Sequence, residues 1–294
     1  METLVSCPVC EKTDFVTKYT CTDLVATSEL FNILECKGCS FLFTNPRPDS
    51  NEISKYYKSD NYISHSSESA GLIFSIYKIV RDYGIKQKLR LIKSFNSSGN
   101  LLDIGCGLGY FLNGATNDGS FNTTGVDTSD DAVKYVKEYF GISVQNDSAL
   151  NEFNANSFDV ITMWHVLEHV HDLSGRVKQL SRLIKPDGTL FIAVPNSGSW
   201  DAGFFKEKWD AYDVPRHLYH FNQKSFKLLM EKNGFKIIET KPLFFDAPYV
   251  SMRSAKHAGW PFSFIVGGVI GLISNLMALN NKNYSSLLFV VKKS

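Results

Sequence analysis

The stretch L-L-D-I-G-C-G-L-G-Y, residues 101–110, constrains this chain more than any other. A short apolar run leads into three glycines at alternate positions, and a helix-like segment follows. Gly105 and Gly107 fit a strand that turns sharply into a helix while a ligand approaches bare backbone, a place where side chains must be absent. The dinucleotide fingerprint G-x-G-x-x-G is not met: the third glycine, Gly109, comes one residue early and Tyr110 takes the fingerprint position. No Lys-Ser/Thr pair follows, which excludes a phosphate-binding P-loop. Strand-like and helix-like segments then alternate. Residues 123–127, 158–164 and 189–195 read as strands, and residues 131–139 and 176–184 read as helices. A further helix at 225–235, with Asn222 as its N-cap and Gly234 near its end, precedes strands at 236–240 and 285–293. Such alternation predicts a mostly parallel sheet with helices on its faces and a ligand beyond the carboxyl ends of the strands.

The form D-x-G-x-G-x-G after an apolar strand resembles motif I of the class I S-adenosylmethionine (SAM) methyltransferases, and the resemblance runs over roughly residues 95–240 plus the last strand. It implies an α/β, Rossmann-like fold with a mostly parallel seven-stranded sheet. Gly105, Gly107 and Gly109 would shape the methionine pocket, and Asp103 would orient the loop and the SAM amino group. Asp127 ends the second strand about 20 residues after the loop, where an acid accepts hydrogen bonds from ribose hydroxyls. Asp147, with Ser148 beside it, would meet the adenine, while Trp164 and His165 would line the same rim after the fourth strand.

His165, Glu168 and His169 spell H-x-x-E-H, a zinc-protease signature when it lies within one helix. Here a strand precedes His165, so the protease reading lacks its structural context. The form resembles the segment after the fourth strand of many small-molecule methyltransferases. His165 is then expected at the cofactor or acceptor pocket as a second catalytic candidate. Glu168 and His169 are expected to begin the next helix, either functional or capping it.

Residues 210–221, D-A-Y-D-V-P-R-H-L-Y-H-F, are dense in polar and aromatic groups and fall over the expected acceptor site. Methyl transfer needs alignment of donor and acceptor and often removal of an acceptor proton, a task suited to histidine. Tyr212, His217 and Tyr219 resemble the acceptor loop of sugar methyltransferases that carry an N-terminal zinc module. That resemblance makes His217 the candidate general base and Tyr212, Arg216, Tyr219 and His220 candidate substrate-binding residues.

Cys7, Cys10, Cys36 and Cys39 form two C-x-x-C pairs separated by 25 residues, the spacing of a zinc ribbon. A closed structural Zn²⁺ site is expected, stabilising a module too small for a core of its own. The organisation read from sequence is a zinc-ribbon-like module at 1–48, a helical lead-in at 49–95 and the SAM-binding domain at 96–294. An apolar helical insertion is expected at about 250–282. Within it, residues 261–279 carry no charge and hold the G-x-x-x-G pair Gly267 and Gly271. A spanning helix would strand the last β-strand across the bilayer, so a hairpin packed on the domain, or resting on a membrane surface, is expected.

The formal net charge is +1, and residues 1–49 hold four Lys/Arg against seven Asp/Glu. That balance opposes phosphate contact. A small-molecule or glycan-precursor acceptor is therefore favoured over nucleic acid. The alternatives are an RNA methyltransferase with the zinc module as reader, and a non-catalytic SAM-binding scaffold. The cysteine spacing and the opening residues, without a basic start and apolar core, give the expectation of a reducing cytoplasm, with a peripheral membrane contact as the variant.

Overall fold

The computed structural model describes residues 1–57 and 72–294, the side chains of 72–77 excepted. Residues 58–71 of the expected lead-in lie outside the described residues. The N-terminal part contributes β1 (Phe15–Thr22), β2 (Leu30–Cys36) and β3 (Leu42–Thr44). The chain continues through α1 (Leu72–Phe95), β4 (Gly99–Ile104), α2 (Tyr110–Asp118), β5 (Phe121–Asp127), α3 (Asp130–Phe140) and β6 (Val144–Asn146). Next come β7 (Phe158–Trp164), α4 (Leu173–Leu183), β8 (Ile184–Pro195), α5 (Trp200–Phe205) and the two-residue β9 (Tyr219–His220). Last are α6 (Gln223–Lys232), β10 (Phe235–Pro242), α7 (Asp246–His257), α8 (Ser263–Asn281) and β11 (Ser286–Lys293).

The main sheet runs β10-β11-β8-β7-β4-β5-β6. Strands β4 to β8 pair in parallel, and β11 is antiparallel to both its neighbours. This is the mostly parallel seven-stranded sheet expected from the alternation. Period-two side-chain alternation gives it two apolar faces. Leu102, Ile104, Ile161 and Met163 point to one face, with Val177 and Leu180 of α4 and Phe226 of α6. Leu101, Val160 and Phe191 point to the other, under Leu89 and Ile92 of α1 and Phe111 of α2. Side-chain caps begin two of the helices, one of them at the Asn222 that the sequence suggested. Ser129 caps α3 by accepting from the Ala132 amide, and Asn222 caps α6 in a reciprocal capping box with Ser225.

The N-terminal module is fused to the catalytic part. A second sheet, β1-β2-β3-β9, takes its last strand from the expected acceptor loop: Leu42 pairs with His220 and Phe43 with Tyr219. Phe41 and Phe43 are fully buried in the same core as the main sheet, and the Phe41 ring lies 5.4 Å from that of Phe221. Each such buried ring contributes roughly 2–3 kcal/mol, so the module draws much of its stability from the larger domain.

Candidate functional site

The glycine loop follows β4 at the carboxyl edge of the sheet. Gly105, Gly107 and Gly109 all have positive φ, between 52° and 73°. A Cβ on Gly105 would come within 2.5 Å of the Val166 side chain, whereas one on Gly107 would meet nothing within 4 Å. Gly105 is therefore required by chain packing. Gly107 faces open space, so its left-handed backbone rather than packing favours glycine there. Its amide donates to Asp127 Oδ2 at 2.8 Å, and Asp127 Oδ1 accepts from the Ser129 amide at 2.8 Å. One carboxylate at the tip of β5 thus ties the loop to the start of α3.

Asp103 is 1% exposed. Its Oδ1 accepts from Thr162 Oγ1 at 2.6 Å, while Oδ2 has no hydrogen-bond partner among the described residues. Burial pushes the carboxyl up to about 7, against the lowering effects of Thr162 and Lys88. An orphaned buried carboxylate oxygen beside a glycine loop fits a cationic ligand. The ammonium of SAM has that chemistry, so the residues present fit the cofactor.

The other expected cofactor contacts lie on the same edge. Asp147 opens a 3₁₀ turn, Asp147–Asn151, and accepts from Arg176 Nη2 at 2.6 Å. The Ser148 amide donates to Asn146 Oδ1 at 3.1 Å. Trp164 ends β7 with its ring against Phe111, and Lys88 Nζ of α1 lies 4.0 Å above it. Lys88 was not legible from sequence, since a lysine on an amphipathic helix ordinarily faces water.

The H-x-x-E-H residues do not share a helix. His165 has φ +58°, and Leu167–His169 forms a single 3₁₀ turn. The expected helix start at Glu168 is corrected: α4 begins at Leu173, where Asp172 accepts from the Gly175 amide as N-cap. His165 lies between two carboxylates, with Nε2 3.2 Å from Asp246 Oδ2 and Nδ1 3.4 Å from Glu168 Oε1. Burial alone would lower its pKa, but these partners outweigh it and push the imidazole up to about 10. The two carboxylates favour the charged form of this second catalytic candidate. Asp246 comes from the first turn of α7, some 80 residues away in sequence, and sequence reasoning missed it.

Glu168 is fully buried, and neither carboxylate oxygen accepts a hydrogen bond among the described residues. Burial opposes its charge, yet the surrounding histidines hold it below the usual carboxylate range. One ligand-type atom from each of Glu168, His169 and His217 falls within 4.8 Å of the others. His217 Nδ1 donates to the Ala211 carbonyl at 2.8 Å, leaving Nε2 as the basic nitrogen. His169 Nδ1 donates to the Arg216 carbonyl at 3.0 Å, and burial followed by repulsion from His217 lowers its pKa to about 4. The group can relay a proton or hold a divalent cation, and both uses draw on the same His217 nitrogen.

Tyr212, Arg216, Tyr219 and His220 come together in the seam between the two sheets, each at most 3% exposed. Arg216 donates to Asp213, to Asp23 Oδ1 at 3.1 Å and to the Tyr56 carbonyl at 2.9 Å. Tyr219 Oη donates to the His171 carbonyl at 2.8 Å, and His220 Nε2 lies 3.1 Å from Thr44 Oγ1. Tyr212 packs on Trp209, Tyr19 and His220. The expectation that Arg216, Tyr219 and His220 reach for an acceptor is corrected on this point: their polar groups are engaged inside the protein, where they fix the loop that carries His217.

The four cysteines of the module place their sulfurs within 4.8 Å of one another, with Cys7–Cys39 at 3.6 Å and Cys10–Cys36 at 3.4 Å. A tetrahedral zinc with bonds of about 2.3 Å sets its sulfurs about 3.8 Å apart. The donor set and spacing fit that ion.

A family model described as "Methyltransferase domain" matches residues 78–240. A ubiquinone biosynthesis O-methyltransferase of Coxiella burnetii is 34% identical over 103 residues, covering 33% of this chain and 44% of that protein. One from Neisseria meningitidis is 30% identical over 107 residues, with the same two shares. The chain thus spans less than half the length of the curated relatives it matches. Among solved structures, phosphoethanolamine N-methyltransferase 2 of Haemonchus contortus in complex with SAM superposes with a TM-score of 0.52 at 20% identity. That match covers 90% of this chain and 64% of the other. A second complex of the same enzyme, with phosphomonomethylethanolamine and S-adenosylhomocysteine, gives 0.53 at 20% identity over 86% and 62%. At that identity the likeness concerns the fold.

Proposed function

The chain belongs to the class I SAM-dependent methyltransferases, and we propose that it methylates a hydroxyl of a small-molecule acceptor, of the glycan-precursor or related metabolite class. Bound SAM supplies a methyl group activated on a sulfonium. The chain's residues do the rest. Asp103 holds the cationic end of the cofactor, Asp127 the ribose, and Gly107 leaves room at the loop. His217 accepts the acceptor proton at Nε2, its tautomer fixed by the Ala211 carbonyl. The buried Glu168 carboxylate offsets the positive charge that develops on the imidazole. The observation that carries this reading is the cluster of His217 with the fully buried Glu168, directly after β7, whose carboxylate oxygens accept no hydrogen bond among the described residues and face His165 as an ion pair.

The hydroxyl assignment is supported by the O-methyltransferase relatives, whose acceptor chemistry is theirs and a proposal for this chain. The acidic balance of the zinc module argues against an RNA acceptor. The test is His217→Gln. SAM affinity should hold within about threefold, while methyl transfer falls roughly 10²–10⁴-fold, the usual worth of a positioned base. Equal loss of SAM binding and transfer would assign His217 to folding instead.

A further inference from the structure

Between β10 and β11 the chain forms two helices whose side chains are arranged the wrong way round for a water-facing surface. The residues that α8 buries are Gly267, Ile270, Gly271, Ser274 and Ala278, mostly small. Its large apolar residues point outward: Phe264 is 73% exposed, Leu276 64% and Leu272 58%. A surface helix of a soluble domain shows the reverse. Small residues inside and large ones outside is how helices pack when their outer face meets lipid. The inner contact is close, because a Cβ on Gly267 would collide with the Met252 backbone and one on Gly271 with the Pro248 backbone.

Length and hydropathy alone would let α8 cross a bilayer, but its attachments oppose this. Ser274 Oγ donates to the buried Asp201 at 2.7 Å, and Asn275 donates to the Phe244 carbonyl at 2.9 Å. β11 then returns to the sheet between β10 and β8. The helix therefore lies along the domain with one face free.

Charge identifies what covers that face. No Asp, Glu, Lys or Arg occurs from 257 to 281, and the strip is bracketed by the exposed Lys256 and Lys282. No acidic residue follows Asp246 to the end of the sequence. A second copy laid antiparallel on the strip would set lysine against lysine. Anionic lipid headgroups would pair with both ends while Phe264, Leu272 and Leu276 enter the acyl boundary. Trp260, 38% exposed at the start of the strip, suits the interfacial depth.

We propose that the α7–α8 hairpin docks the protein, in plane, on the surface of an anionic bilayer. Docking would bear on the methyltransferase site, because Asp246 in the first turn of α7 contacts His165. The proposal does not depend on the acceptor assigned above.

The test is flotation of the full chain with vesicles of phosphatidylcholine alone or mixed with phosphatidylglycerol. The protein should float with the anionic vesicles. Leu272→Glu and Leu276→Glu should each reduce the bound fraction at least roughly tenfold, and Lys256→Glu with Lys282→Glu should remove the preference for the anionic lipid. SAM binding and the circular dichroism spectrum should be unchanged in each variant, which shows that they fold. Wild-type protein that stays with neither vesicle overturns the proposal. So does binding indifferent to the leucine substitutions, or a dimer that Leu272→Glu dissociates in the absence of vesicle binding.

Discussion

Arg216 Nη1 and Asp23 Oδ1 lie 3.1 Å apart, both buried, one in the loop that carries His217 and the other in the N-terminal module. The pair fastens the two sheets. Asp23 also accepts from the amides of Val25 and Thr27, which shape the β1–β2 connection. Asp23→Ala should cost about 3 kcal/mol in urea unfolding, at the low end for breaking a buried pair because Asp213 still neutralises Arg216. Methyl transfer should fall more than SAM affinity, since the damage lies at the His217 loop.

Asp103 gives SAM binding a pH dependence. Burial raises its carboxyl to about 7, so the folded chain holds a proton there that the unfolded chain has lost. Without ligand, stability falls as pH rises from about 4 to 7 on this group's account. A cationic ligand favours the ionised form, so SAM affinity should rise roughly tenfold from pH 6 to pH 8. Calorimetric titration across that range checks the slope. Asp103→Asn should flatten it and weaken binding roughly 10–100-fold.

His165 works in the opposite direction. Its folded pKa is raised to about 10 from an ordinary 6.5. Its pairing with Asp246 and Glu168 therefore stabilises fully below pH 6.5, and that contribution is lost as pH rises through about 10. The gap in melting temperature between wild type and Asp246→Asn should be widest near pH 6 and close towards pH 10. A gap that is constant with pH would mean the histidine is neutral in the folded protein.

Metal content separates two uses of the remaining donors. Purified protein should carry one zinc per chain, lost on Cys36→Ser with a lower melting temperature. Because β3 carries β9, that variant should also lose methyl transfer at near-normal SAM affinity. A second equivalent of metal, absent from Glu168→Gln, would make Glu168, His169 and His217 a metal site and remove His217 Nε2 from proton transfer.

What the sequence made legible was local. The turn at Gly105–Gly107, the cap Asn222 and the paired cysteines each announce themselves within a few residues, because backbone geometry or chelate spacing forces the residue type. The partners that set the site's electrostatics come from far along the chain. Asp246 reaches His165 from the insertion, Lys88 reaches Trp164 from α1, and Asp23 reaches Arg216 from the module. Nothing near these residues marks them out. The same distance explains Arg216, Tyr219 and His220. Their density in one loop suggested a ligand, but they meet Asp23 and Thr44 of the N-terminal part and the His171 carbonyl ahead of α4, a packing that no local pattern encodes.

The most direct measurement is methyl transfer from methyl-labelled SAM into a cell extract separated into RNA, protein, lipid and small-molecule fractions, with wild type, His217→Gln and Asp103→Asn in parallel. Wild type should place label in the small-molecule or lipid-glycan fraction, and either variant close to none. Label in RNA, or label in any fraction that His217→Gln leaves unchanged, would contradict the proposed function.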